Sequence, residues 1–172
     1  MSQTIMYQLT ETSKFMMGFV IVTKEDNVIV IDGGRTEDMP LLKEYIGGRH
    51  ISAWILTHAH EDHISGLVSE FQENGGIDFD IETIYYHFPP LEMMNRQDVP
   101  DPEYYHAEFT QMLPVFYQTL PLFQDKAHVV TQGERIVIDE LEFHFLFTYH
   151  EWLVSNVMND SSLVFKMTAP NK

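Results

Sequence analysis

In Ile51-Ser52-Ala53-Trp54-Ile55-Leu56-Thr57-His58-Ala59-His60-Glu61-Asp62-His63, a largely apolar run gives way without a spacer to His58, His60, Asp62 and His63. The run suits a strand buried on both faces. Residues 64–71 beyond it place apolar side chains at helical spacing, which puts the histidines on a strand-to-helix loop. Histidines two apart on an extended loop can turn toward one point. An aspartate and a histidine at the start of the next helix can face a second point close by. Neutral imidazole and carboxylate suit zinc, iron or manganese, and a hydroxide held by one or two such ions is a strong nucleophile near neutral pH. The ordinary alternative is a polar loop that is histidine-rich by chance. Ligand-type side chains packed this densely behind a buried strand argue against it.

Upstream, Phe19-Val20-Ile21-Val22 and Val28-Ile29-Val30-Ile31 flank the polar turn Lys24-Glu25-Asp26-Asn27 and read as a hairpin that stops at Asp32-Gly33-Gly34. Residues 39–45 suggest a short helix closed near Gly47-Gly48. Downstream, Gly75-Gly76 ends the helix after the histidines, and residues 81–86 read as a further strand. Residues 88–101, with three prolines, read as an irregular surface segment. Asp101-Pro102-Glu103 is a helix-start signal, with Tyr105, Phe109, Met112 and Phe116 on the apolar face until Pro114 and Pro121 distort or end the helix. That stripe is ordinarily core packing, yet aromatics, methionines and prolines gathered over residues 88–123 also suggest a partly mobile wall over the metal cleft. From Ile136 to Phe147 the period is two, interrupted at Asp139-Glu140, which gives a second hairpin, and residues 162–167 form a last strand. The mixture of strands and helices is that of a single α/β domain over residues 1–172.

Composition narrows the function. The chain has no cysteine, so a transition-metal site must use the nine histidines and the carboxylates. Ten basic against 26 acidic side chains give a net charge of -16, which argues against nucleic acid held along a basic surface. A bound divalent ion could still reverse that sign locally for a phosphate ester. No apolar stretch approaches a bilayer span and the N-terminus lacks a secretory pattern, so the expectation is a cytoplasmic protein with no membrane contact.

His58, His60, Asp62 and His63 match the HxHxDH motif without a gap, and the chain resembles the metallo-β-lactamase-fold hydrolases, which carry that motif on a strand-to-helix loop. Asp32-Gly33-Gly34 and Ser65-Gly66-Leu67 are similar to the family's flanking segments. The resemblance implies an αββα sandwich, of which this chain is the N-terminal half, a mixed sheet with flanking helices. It implies a first metal on His58 and His60, a second on Asp62 and His63, and Asp32 as a residue that orients the loop rather than a ligand. Asp62 also becomes the catalytic carboxylate. Asn159-Asp160-Ser161-Ser162-Leu163-Val164 resembles the branch related to the hydrolase domain of bacterial competence (DNA-uptake) proteins. The family's later Gly-Asp and final histidine segments have no counterpart here, so the domain is expected to be C-terminally incomplete. His150 stands near the position of the family's third-motif histidine and is a further candidate ligand.

The expected activity is hydrolysis of an ester-like bond in a small molecule by hydroxide activated on one or two divalent metals, zinc foremost, with a phosphodiester favoured. The alternative is a truncated or divergent half-domain acting as a non-catalytic metal-binding or assembly module. A half sandwich leaves one sheet face uncovered, which suggests self-association or a missing C-terminal half.

Overall fold

β-Branched, two-face-apolar runs have no stable place except inside a sheet covered on both sides, and the chain builds that sheet first. In the computed structural model, which describes residues 3–12, 14–109, 112–150 and 156–170, β1 (Ile5–Gln8), β2 (Gly18–Val22) and β3 (Val28–Asp32) form an antiparallel meander. β4 (Ile51–Ile55), β5 (Ile84–Tyr86) and β6 (Ala127–Val129) then add in parallel, in the order β1-β2-β3-β4-β5-β6. Parallel neighbours need crossovers, and helices supply them. α1 (Met39–Ile46) links β3 to β4 and α2 (Glu61–Asn74) links β4 to β5, each closed by a left-handed glycine, Gly47 and Gly75.

These helices and α4 (Met112–Thr119) pack on one face of the sheet. Their core contains Val30, Trp54, Leu56, Leu42, Leu67, Phe71, Phe116 and Phe123. The other face meets a second sheet, β7 (Arg135–Ile138), β8 (Leu141–Phe147) and β9 (Val164–Thr168), in the order β7-β8-β9. Ile21, Ile29, Ile31, Ala53 and Ile55 of the large sheet meet Ile138, Leu141, Phe143, Phe145 and Leu163 there. Full burial of one side chain of the Phe143 kind contributes roughly 1.5–3 kcal/mol. The expectation of a mixed sheet with flanking helices therefore holds. The uncovered sheet face is corrected, because the alternating apolar positions of β7 to β9 supply the second layer. What stays open is the outer side of the small sheet, where Val137, Leu146 and Val164 are exposed beside the polar Arg135, Glu142 and Lys166.

The helix expected from Asp101 is present on both sides of residues 110–111, which lie outside the described residues. α3 (Pro102–Phe109) starts with Asp101 Oδ1 accepting from the Tyr104 N–H at 3.1 Å, and α4 carries helical structure past Pro114 to Thr119. The irregular surface segment holds for most of residues 88–101, but Phe88 and Val99 turn into the helical-side core. Residues 81–83 meet β4 through the Ile51–Ile81 bridge and the Thr83 carbonyl, which accepts from the Trp54 N–H at 2.8 Å, leaving a shorter β5 than the sequence suggests. β1, β6 and the short helix α5 (Val157–Asp160) were not foreseen. Among the described residues no helix is long and apolar enough to cross a membrane.

Candidate metal centre

Leu56 ends the buried part of the β4 run, and the next residues leave the sheet at the C-terminal end of its parallel strands. His60 has extended backbone (φ -85, ψ 153) and caps α2, whose first turn holds Glu61, Asp62 and His63. Carboxylates suit that end of a helix, where unpaired N–H groups carry partial positive charge. The helix start is held by its neighbours. Met17 N–H donates to the Asp62 carbonyl at 3.0 Å and Gly34 N–H to the His63 carbonyl at 3.2 Å. Gly66 N–H donates to the Gly34 carbonyl at 3.1 Å. A Cβ on Gly66 would lie 2.4 Å from Met39 Sδ and 3.0 Å from the Arg35 carbonyl, so only glycine permits this approach.

Within this frame the donors face each other in pairs. His58 Nε2 lies 3.1 Å from His60 Nδ1, and His63 Nε2 lies 3.6 Å from Asp62 Oδ2. The His58 and His63 rings stand 3.9 Å apart. His58 is 6% exposed, and burial, with the nearby His63 and His60, pushes its pKa down to about 3. It is therefore a neutral imidazole, the form that binds a metal. His63 Nδ1 lies 2.7 Å from Oδ2 of Asp32, and the same carboxylate accepts from the Thr57 N–H at 2.7 Å and the Thr57 hydroxyl at 2.8 Å. Trp54 Nε1 donates to the Asp32 carbonyl. Arg35, itself buried, reaches Glu61 at 2.7 Å and holds that carboxyl below the usual range.

Two donors on one tetrahedral zinc stand roughly 3.3 Å apart, so the 3.1 and 3.6 Å separations fit two donors per ion. Among the described residues no group of three or more such side chains converges on one point. The donor chemistry and spacing would suit such an ion. His58, His60, Asp62, His63 and Asp32 are thus brought together. His150 is exposed, with its ring 5.4 Å from that of Phe147. His87 turns to the Val130 carbonyl at 2.6 Å. Thr57 and Arg35 were missed, because a threonine before a histidine and an arginine after two glycines carry no signal of their own.

A cavity of about 430 Å³ opens beside His58 and His63, walled by Met6, Met17, Phe19, Ile31, Leu163 and Phe165. Leu163 N–H donates to the Thr57 carbonyl at 2.8 Å, which lays the start of β9 beside the histidine loop.

The model of the metallo-beta-lactamase superfamily matches residues 18–151. The chain belongs to that superfamily. Superfamily members are mostly metal-dependent hydrolases that bind one or two divalent metals, usually zinc. Among solved structures, the Rm3 metallo-beta-lactamase is 17% identical with a TM-score of 0.58, over 96% of this chain and 54% of that one. A HARLDQ-motif metallo-beta-lactamase mutant from Cronobacter sakazakii is 14% identical with a TM-score of 0.55, over 97% and 60%. MEM-A1, a subclass B3 metallo-beta-lactamase from a soil metagenome library, is 16% identical with a TM-score of 0.52, over 91% and 52%. At such identities the likeness is one of fold. This superfamily chain spans between 52% and 60% of the length of these three structures. No match was found among curated proteins.

Proposed function

We propose that the chain is a metal-dependent hydrolase of ester-like bonds, with one divalent ion between His58 and His60 and a second between Asp62 and His63. The observation that supports this most is the pairing of donors, 3.1 Å and 3.6 Å apart, at the C-terminal end of β4. Zinc suits the imidazole and carboxylate set best, with iron and manganese as the other candidates. When bound, such an ion supplies an acidified water and a polarised carbonyl or phosphoryl oxygen. The protein's own part is to hold and to move protons. Neutral His58 offers a lone pair rather than a charge, Asp32 fixes the ring of His63, and Arg35 ties down the helix start through Glu61. Asp62, whose side chain is 18% exposed, is placed to steer the proton of the nucleophile or leaving group, so we assign it the catalytic role.

A small phosphodiester is the favoured substrate. The support is the Asn159–Val164 resemblance to the competence-protein branch, together with the position of that segment against Thr57. The net charge of -16 weighs against a long nucleic acid, and a cysteine-free chain fits the cytoplasm. A second reading, a non-catalytic metal-binding or assembly module, draws on the two-donor pairs, because an ion with few protein ligands is held weakly. In either reading the exposed Val137, Leu146 and Val164 support self-association or contact with a further polypeptide segment.

The test is hydrolysis of bis-nitrophenyl phosphate and of nitrophenyl acetate with added zinc or manganese, by the wild type and by Asp62→Asn. Metal-dependent turnover of the phosphodiester that falls by about 10²–10⁴-fold in Asp62→Asn supports the hydrolase. Turnover of the acetate alone moves the substrate to carboxylic esters. Metal uptake without turnover of either leaves the module.

A further inference from the structure

Thr57 sits between the two halves of the donor cluster. Its hydroxyl oxygen lies 2.8 Å from Asp32 Oδ2, 3.1 Å from His58 Nδ1 and 3.4 Å from His63 Nδ1. A hydroxyl has one hydrogen to give and lone pairs to receive with, whereas a carboxylate can only accept. The contact with Asp32 therefore consumes the Thr57 hydrogen. What remains on the Thr57 oxygen toward His58 is an acceptor, and the proton in that contact must come from the ring.

We propose that Thr57 is a positioning residue that sets the tautomer of His58. Its hydroxyl, oriented by Asp32, holds the His58 proton on Nδ1 and leaves Nε2 bare toward His60. Asp32 does the same for His63 directly, accepting from its Nδ1–H at 2.7 Å and leaving Nε2 bare toward Asp62. One carboxylate thus prepares a nitrogen in each donor pair, reaching the first through a hydroxyl and the second without one. Burial enforces the arrangement: His58 is 6% exposed and Asp32 1% exposed, so water does not compete for these bonds. The 3.1 Å contact between His58 Nε2 and His60 Nδ1 agrees, because a bare Nε2 can accept there.

The proposal concerns the pairs named under the proposed function, but its first test needs no metal. In metal-free protein at neutral pH, two-bond proton–nitrogen correlation spectra of the histidine rings report which nitrogen carries the hydrogen. Wild type and Thr57→Ser are expected to show His58 protonated on Nδ1. Thr57→Val, of nearly the same shape, is expected to move that proton wholly or partly to Nε2 while His63 keeps its Nδ1 proton. A wild-type His58 protonated on Nε2, or a His58 tautomer unchanged in Thr57→Val, overturns the proposal, and the wild-type spectrum decides even if Thr57→Val fails to fold. Zinc affinity separates this idea from the hydrolase reading. Thr57→Val should bind zinc about 10–100-fold more weakly and Thr57→Ser should recover it. The expected tautomers with no zinc binding at all would defeat the metal reading and leave the role of Thr57 standing.

Discussion

His63 Nδ1 lies 2.7 Å from Oδ2 of Asp32, a carboxylate that is 1% exposed on a residue with φ 59. A left-handed non-glycine residue is strained, and aspartate is among the few side chains that tolerate it. Replacing Asp32 by alanine strips three hydrogen bonds from a buried place and should lower unfolding stability by about 3 kcal/mol in urea titrations. Asparagine keeps the size and the backbone tolerance but cannot accept from Thr57 and His63 as a carboxylate does. Asp32→Asn should therefore stay within about 1.5 kcal/mol of wild type and still bind zinc about 10–100-fold more weakly. Unchanged zinc affinity in both variants would remove Asp32 from the metal centre.

Phe116 is fully buried, its ring 4.7 Å from Phe88, 5.0 Å from Tyr86 and 5.7 Å from Phe123. The mobile wall expected over residues 88–123 gives way to a core role for these aromatics. Phe116→Ala should cost about 3–5 kcal/mol, and the amides of α4 should exchange as slowly as those of β3. A loss below about 1 kcal/mol with fast exchange in α4 would restore the wall.

The same segment shows where sequence patterning is weak. The aromatic stripe marked Tyr105 and Phe116 as core, and both are fully or almost fully buried. It could not show that Phe88 and Val99, at the two ends of the proline-containing segment, enter that core, because prolines signal turns without saying what the turn covers. β4, α2 and the histidine loop were legible because their signals are local: period, capping and ligand spacing along a few residues. β1 and β6 were not, because their side chains are half-exposed or exposed and only pairing with distant strands makes them extended. The second sheet was read as a hairpin and a strand, yet its packing on the first depends on Phe143 and Phe145 meeting Ile29 and Ile55, a relation that no local pattern encodes. Asp32 was legible as the end of a strand before the motif. Its grip on Thr57 was not.

Burial of His58 gives the metal-free protein a pH dependence. The folded pKa, pushed down to about 3, lies below the ordinary 6.5, so as pH falls through 6.5 the unfolded chain takes a proton that the folded chain refuses. Stability from this group is fully present above pH 6.5 and declines by about 1.4 kcal/mol per pH unit between there and pH 3. The difference in urea midpoint between wild type and His58→Asn, measured with chelator present from pH 8 to pH 4, should shrink or reverse as the pH drops. A difference that stays constant over that range would mean that His58 is accessible and titrates normally.

The most direct measurement is zinc uptake, by calorimetric titration and elemental analysis, in wild type and in two double variants, His58→Ala/His60→Ala and Asp62→Ala/His63→Ala. Wild-type protein is expected to bind zinc, the first variant to lose most of it, and the second to lose the weaker share, with both still folded by circular dichroism. In the proposed assignment each ion would rest on two side chains, 3.1 or 3.6 Å apart, so removing both should leave nothing that can substitute for them. Zinc stoichiometry and affinity unchanged in both folded variants would contradict the assignment of the metal centre to His58, His60, Asp62 and His63.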